Sequence, residues 1–214
     1  MQAWNEAWKT ADGRADWIEP APFVREYLPS VAARGAGRLI DIGCGPGRHT
    51  IFAAHLGCRA IGVDAARAGI QHLRAWATHE NVLVDVAVAD MRALPYSGNS
   101  FDCAIAWNVI YHGTADIVAR AVNEIARILT PGGVFILTLI SKRNARYGVG
   151  AEIEPDTFVN ADDPGETSHP HRFYNRTDAE QLLFRFDISE AREVEQKTAG
   201  SYHWEIVCRR LVDS

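Results

Sequence analysis

Apolar positions along this chain recur with two periods that take turns. Val82, Val84, Val86 and Val88 repeat every second residue, the spacing that lays one face of an extended strand on a core. Val118, Ala121, Val122, Ile125, Ile128 and Leu129 fall at helical spacing, with Thr114 where an N-cap belongs. The same reading predicts helices over 22–31, 47–56, 65–78 and 115–129, and strands over 38–42, 59–64, 82–89, 102–107 and 134–139. Ile70, Leu73 and Ala77 share one face of the helix at 65–78. Gly57 stops the helix before it, and Thr130-Pro131-Gly132-Gly133 stops the helix at 115–129. Near the start, Trp4 and Trp8 share a helical face at i,i+4, placed either to cap a ligand or to pack.

Repeated β–α units of this kind predict an α/β, doubly wound, mostly parallel sheet with helices on both faces. Ligands of such sheets bind outside the carboxyl ends of the strands. After residue 140 the alternation fades. Residues 141–176 hold Gly148, Gly150, Pro155, Pro164, Gly165 and Pro170 and little periodicity, which suggests a functional lid. Thr177 and Glu180 form a capping-box pattern opening a short helix through residue 184. Strands near 187–194 and 202–210 read as a closing antiparallel pair. A length of 214 residues suits one domain. It divides into a helical extension (1–35), a ligand-binding core (36–140), and a lid with closing strands (141–214).

Composition narrows the classes. Apolar residues are 47% and charged residues 23%, a globular balance. The formal net charge of −5 argues against broad attraction to nucleic acid or anionic membrane. Four cysteines (44, 58, 103 and 208) form no C-x-x-C pair and read as reduced thiols of a cytoplasmic protein. MQAWNEAWKT lacks the basic-then-apolar pattern of a signal peptide, and the apolar run near 134–140 is too short to span a bilayer.

The chemistry concentrates at Asp41-Ile42-Gly43-Cys44-Gly45-Pro46-Gly47, where a buried strand turns into a helix. Glycines here let the chain turn sharply and let a ligand lie against bare main chain, facing the free N–H groups of the helix. The third glycine of a dinucleotide fingerprint would fall at position 48, which is Arg48, and the Gly-Lys-Ser/Thr of a phosphate loop is absent. Asp64 ends the second strand, about 20 residues downstream, where a carboxylate accepts from ribose hydroxyls. Asp90 ends the third strand, where it could accept from an adenine amino group while the Met91 backbone reads the ring edge.

These residues resemble the class I S-adenosylmethionine-dependent methyltransferases, particularly compact bacterial members acting on small molecules. The resemblance rests on residues 40–47, on Gly62-Val63-Asp64, on residues 89–96 with Ser100-Phe101-Asp102, and on Leu129-Thr130-Pro131-Gly132-Gly133. It covers roughly residues 37–140; the segment from 141 onward, which would choose the acceptor, lies outside it. The resemblance implies a seven-stranded sheet with the last strand antiparallel. It implies that S-adenosyl-L-methionine binds with Gly43, Gly45 and Gly47 along its methionine and ribose, Asp41 near the amino group, Asp64 at the ribose diol and Asp90 at the adenine.

Methyl transfer from a sulfonium needs alignment and a suitable field, and a base only where the acceptor must lose a proton. Candidates follow the fourth strand: Asn108 to orient ligands, and His112 or Tyr111 to take a proton. His169-Pro170-His171 forms a second cluster, in which His171 is a further candidate for catalysis. Two histidines without a third ligand make a weak metal signal, so no metal is expected. Arg143, Arg146 and Arg172 could make the lid positive. The resulting expectation is a small-molecule N-, O- or S-methyltransferase. An RNA methyltransferase, which the absence of a Lys/Arg run disfavours, and a non-catalytic cofactor-binding protein are the alternatives.

Overall fold

The computed structural model describes residues 2–35, 37–162 and 168–212. Three short helical segments come first: α1 (Gln2–Ala7), α2 (Ala11–Arg14) and α3 (Pro22–Ala33), with a 3-10 turn at Ala15–Trp17. The alternating core follows as β1 (Arg38–Ile42), α4 (Arg48–His55), β2 (Arg59–Asp64), α5 (Arg67–His79), β3 (Val84–Val88), β4 (Phe101–Ala106), α6 (Ala115–Ile128) and β5 (Leu129–Ser141). The last third contributes β6 (Ala151–Glu154), β7 (Thr157–Val159), β8 (His171–Tyr174), α7 (Arg176–Leu182), β9 (Phe186–Glu195) and β10 (Tyr202–Arg210).

The expected architecture is present. The main sheet runs β3-β2-β1-β4-β5-β10-β9; its first five strands are parallel, and β10 lies antiparallel to both β5 and β9. These are the seven strands implied by the motifs. Three more strands are added where a lid without regular structure was expected. The antiparallel ribbon β6-β7-β8 joins β5 through Ile140 and Ser141, which pair with Phe173 and Tyr174 of β8. Of the expected lid, Pro164 and Gly165 lie outside the described residues.

Helix α6 shows how burial fixes an element. Val118, Ala121, Val122, Ile125, Ala126 and Ile128 are buried on one face. Each large aliphatic side chain there contributes roughly 1.5–3 kcal/mol of apolar transfer. They pack with Phe135, Leu137 and Phe186 in the larger core. A second core on the opposite face joins Phe23, Val24 and Leu28 of α3 to Leu39, Ile105 and Ile136.

Several boundaries move for identifiable reasons. Helix α5 starts at Arg67 rather than 65 because the Asp64 carboxylate takes the Ala66 N–H (2.7 Å) and holds a turn there. Strand β5 begins at Leu129, the last residue of the expected helix, and runs through the expected stop signal, because Leu129 already pairs with Phe101 before a register shift. The capping box of α7 is Asn175 with Asp178, two residues ahead of Thr177 and Glu180. Thr114 sits at the N-cap of α6 without a side-chain cap; the Glu154 carboxylate on β6 accepts the Ala115 N–H at 2.5 Å instead. Among the described residues no helix is long and apolar enough to cross a membrane.

Candidate functional site

The carboxyl ends of β1 to β4 open into a cavity of ≈310 Å³. Its walls follow the strand order. Ala89, Asp90 and Met91 come after β3, Asp64 ends β2, Gly43, Cys44 and Gly45 follow β1, and Asn108, Val109 and His112 follow β4.

The glycine loop is held at positive φ, at +66° for Gly43, +54° for Gly45 and +106° for Gly47. A Cβ on Gly43 would stand 2.3 Å from Val109 Cγ2, so this residue lets the β1 and β4 loops touch. Gly43 and Gly45 line the cavity, whereas Gly47 does not. A Cβ on Gly47 would meet Leu73 Cδ1 at 2.3 Å, so that glycine serves the packing of α5. Asp41 also stands behind the wall. It is 1% exposed, and its carboxylate accepts the Thr50 hydroxyl at 2.7 Å. Burial pushes its carboxyl up to about 7, against the pull of Thr50 and Arg48.

Asp64 lines the cavity with both oxygens anchored, Oδ2 to the Gly45 N–H (2.8 Å) and Oδ1 to the Ala66 N–H (2.7 Å). Each oxygen keeps a second lone pair for a ligand hydroxyl. Burial raises its carboxyl above the ordinary range, and the Ala66 and Gly45 N–H groups oppose that rise. Asp90 is more committed. Arg92 clamps it with Nε at 2.9 Å from Oδ1 and Nη2 at 2.5 Å from Oδ2, which holds the carboxyl below the ordinary range. An amino group reaching Asp90 must share it with that guanidinium.

On the β4 side, Asn108 has φ +55° and is pinned by the buried Thr138, whose hydroxyl accepts the Asn108 N–H at 2.7 Å and donates to Oδ1 at 3.0 Å. His112 and His169 both line the cavity, with His112 Nδ1 2.8 Å from His169 Nε2. Tyr111 and His171 do not line it; both are 3% exposed. The Tyr111 ring lies 4.6 Å from that of His112, and its hydroxyl points to His203 Nε2 at 3.4 Å. The three residues proposed for catalysis are thus brought together, but only His112 meets the cavity.

The rim is aromatic. Trp4 and Trp8 stack at 5.0 Å, Trp17 packs edge-on against both, and the Arg48 guanidinium lies 4.9 Å over Trp17. All four line the cavity, so the first two tryptophans pack together and face the cavity at once. His49 on α4 also lines it. Its Nε2 accepts the Ala21 N–H at 3.1 Å, and burial lowers its pKa far enough to keep the ring neutral. Nothing in the sequence pattern singles out His49, whose position depends on α3 crossing α4. Two of the three lid arginines are paired with acids. Arg143 pairs with Glu193 at 3.0 Å and Arg172 with Glu154 at 3.3 Å.

Comparison with known proteins places these observations. Residues 39–133 match a protein family described as a methyltransferase domain. The chain is 33% identical over 146 residues to a ubiquinone biosynthesis O-methyltransferase of Methylobacterium sp. (strain 4-46), covering 61% of this chain and 58% of that protein. The corresponding protein of Bartonella tribocorum is 31% identical over 118 residues, covering 54% of this chain and 47% of that protein. The chain thus spans about half the length of the relatives it matches. Among solved structures, a SAM-dependent methyltransferase from Methanosarcina mazei superimposes with a TM-score of 0.76 at 23% identity, covering 92% of this chain and 100% of that one. The Burkholderia thailandensis 1,6-didemethyltoxoflavin-N1-methyltransferase, solved with 1,6-didemethyltoxoflavin and S-adenosylhomocysteine, gives 0.72 at 19%, covering 94% and 83%.

Proposed function

We propose that this chain, which has the class I S-adenosylmethionine-dependent methyltransferase fold and matches the methyltransferase domain over residues 39–133, methylates a small molecule on oxygen, nitrogen or sulfur. The observation that carries the reading is the order of groups along the cavity: Asp90 and Met91, then Asp64, then bare main chain at Gly43 and Gly45, then Asn108. That order suits an adenosyl cofactor laid across the strand ends. Asp64 fits best, since two backbone N–H groups fix its carboxylate at the cavity wall. In this reading Asp64 holds the ribose hydroxyls, Met91 and Asp90 face the adenine, and Gly43 and Gly45 line the amino-acid end. Asp41 acts from behind, by shaping the loop through Thr50. S-adenosyl-L-methionine, when bound, supplies an electrophilic methyl group, and S-adenosyl-L-homocysteine is the product.

The rest is done by side chains of this chain. The tryptophan rim keeps water from the adenosyl end, and Asn108, rigid on Thr138, orients what lies beside it. His112 and His169 border the acceptor end, where imidazole nitrogen can take a proton from an acceptor that must lose one. Tyr111 and His171 support those rings as positioning residues. The O- and N-methyltransferase relatives support a small acceptor. A net charge of −5 and paired lid arginines disfavour RNA. Four buried free thiols support a cytoplasmic setting.

Calorimetry with S-adenosylmethionine and S-adenosylhomocysteine tests the reading. Micromolar binding of at least one is expected, and no heat with either from folded protein rejects it. Asp64→Ala should weaken that binding by about 1–3 kcal/mol, the scale of a lost charge-assisted hydrogen bond. Unchanged affinity in the folded variant removes Asp64 from the site.

A further inference from the structure

His112, His169 and His171 converge. One ring nitrogen of each lies within 4.8 Å of a ring nitrogen of the other two. Their ring centroids are 4.5 to 4.9 Å apart. The backbone builds this meeting. His112 and His171 form an antiparallel bridge, and the Arg172 N–H donates to the Tyr111 carbonyl at 3.0 Å, so the segment leading into β8 is laced to the loop after β4. His169 stands in a bend just ahead of β8, which sets its ring beside that of His171.

The far nitrogens of two rings are anchored to main-chain oxygen. His171 Nδ1 lies 2.9 Å from the His169 carbonyl, and His112 Nε2 lies 3.2 Å from the Asn108 carbonyl. An N–H directed at a backbone carbonyl is the arrangement that fixes the tautomer of metal-ligating histidines. It turns His171 Nε2 and His112 Nδ1 inward, and His112 Nδ1 already stands 2.8 Å from His169 Nε2. Three imidazoles around a tetrahedral ion at about 2.0–2.1 Å need nitrogens roughly 3.3 Å apart, so side-chain rotations that change the present separations by no more than about 1.5 Å convert this cluster into a ligand set.

We propose that His112, His169 and His171 form a three-imidazole site for a divalent transition-metal ion of the zinc type, with its open position facing the cavity. All-nitrogen ligation selects zinc, cobalt, nickel, copper or iron over magnesium and calcium. Three neutral ligands leave the full double charge on the ion, and two of the three histidines line the cavity, so a further ligand can approach from there. As to that ligand, the proposal rests on the reading above: an acceptor hydroxyl or thiol reaching the open position ionises there, giving its proton to solvent. The ion thus takes over the work otherwise left to an imidazole base. The site lies on the β4 side of the glycine loop, away from Asp64 at the end of β2 and Asp90 after β3, so cofactor and ion do not compete for residues.

Protein stripped with chelator and titrated with cobalt(II) tests the site. The expected result is one equivalent bound, a visible spectrum of four- or five-coordinate nitrogen-ligated cobalt, and displacement by one equivalent of zinc. His169→Ala, at the cavity surface, and the near-isosteric His112→Gln should each weaken zinc binding at least tenfold while circular dichroism stays unchanged. Calorimetry with S-adenosylhomocysteine runs on the same samples and should be unaffected. Absence of stoichiometric cobalt or zinc binding by the folded wild-type chain, or undiminished binding by folded His169→Ala, overturns the metal site. Failure of S-adenosylhomocysteine to bind while cobalt still binds overturns the methyltransferase reading instead.

Discussion

Asp41 carries an acid under the glycine loop at the pH where most proteins work. Its carboxyl is pushed up to about 7, so the folded chain keeps this proton at a pH where the unfolded chain has lost it. The stability it contributes is full below the ordinary carboxylate range and drains away as pH rises toward 7, at up to about 1.4 kcal/mol per pH unit. Glu205, also raised to about 7 by burial, titrates in the same window, so the wild-type slope alone does not isolate Asp41. Asn at position 41 can still accept the Thr50 hydroxyl and cannot ionise. Urea denaturation of Asp41→Asn at pH 5 and pH 8 should therefore show a smaller loss of stability than the wild type; equal losses would clear Asp41. The residue pattern marks Asp64 and Asp90 alike, as acids at strand ends, and brings in Asp41 only through the family resemblance. Their different surroundings depend on the Thr50 hydroxyl, the Gly45 and Ala66 N–H groups and the Arg92 fork, and only the folded chain brings each of these into place. The histidine triad was half legible for the same reason: 169 and 171 are sequence neighbours, and the third member is 57 residues away from His169.

Among the elements, those with a repeating apolar face were readable and those held by exchanged hydrogen bonds were not. Helix α6 follows its period closely, and strand β3 follows it only in part, since the strand begins at Val84 and Val88 at its far end is exposed. The ribbon β6-β7-β8 has little period, because its strands are three or four residues long and take their order from pairing with β5 and from carboxylates. Glu154 shows this: from β6 it caps α6 at Ala115 and meets Arg172. The capping box of α7 tests the element scale directly. Asn175→Ala should cost about 1 kcal/mol and lower Tm by about 2–4 °C in a chain of this size. The matching change Thr177→Ala should leave Tm within a degree or so, since Thr177 has no capping role here. Equal effects of the two would move the helix start back to the sequence expectation.

Over the whole molecule, four of the six tryptophans (Trp4, Trp8, Trp17 and Trp107) line one cavity. Intrinsic fluorescence should therefore change by tens of per cent when S-adenosylhomocysteine binds, and Trp76→Phe, away from the cavity, should leave that change intact. A flat titration in the presence of calorimetrically proven binding would place the ligand elsewhere. The parallel character of the main sheet was legible because each β–α unit repeats one rule of packing, whereas its strand order is known from the folded chain. The aromatic rim was not, because it unites residues 4, 8 and 17 with a loop starting at residue 43.

That rim belongs to the first 17 residues, joined to the rest of the chain by the Asn5 side chain accepting the Ala68 N–H at 3.1 Å and by Trp8 packed on Ala66 and Ala68. Peripheral segments of this kind open locally at a free energy below that of global unfolding. Under the proposed methyltransferase reading, opening of this strap is a route by which the product would leave, and a turnover set by that step would be one shared ceiling for every acceptor whose chemistry is faster.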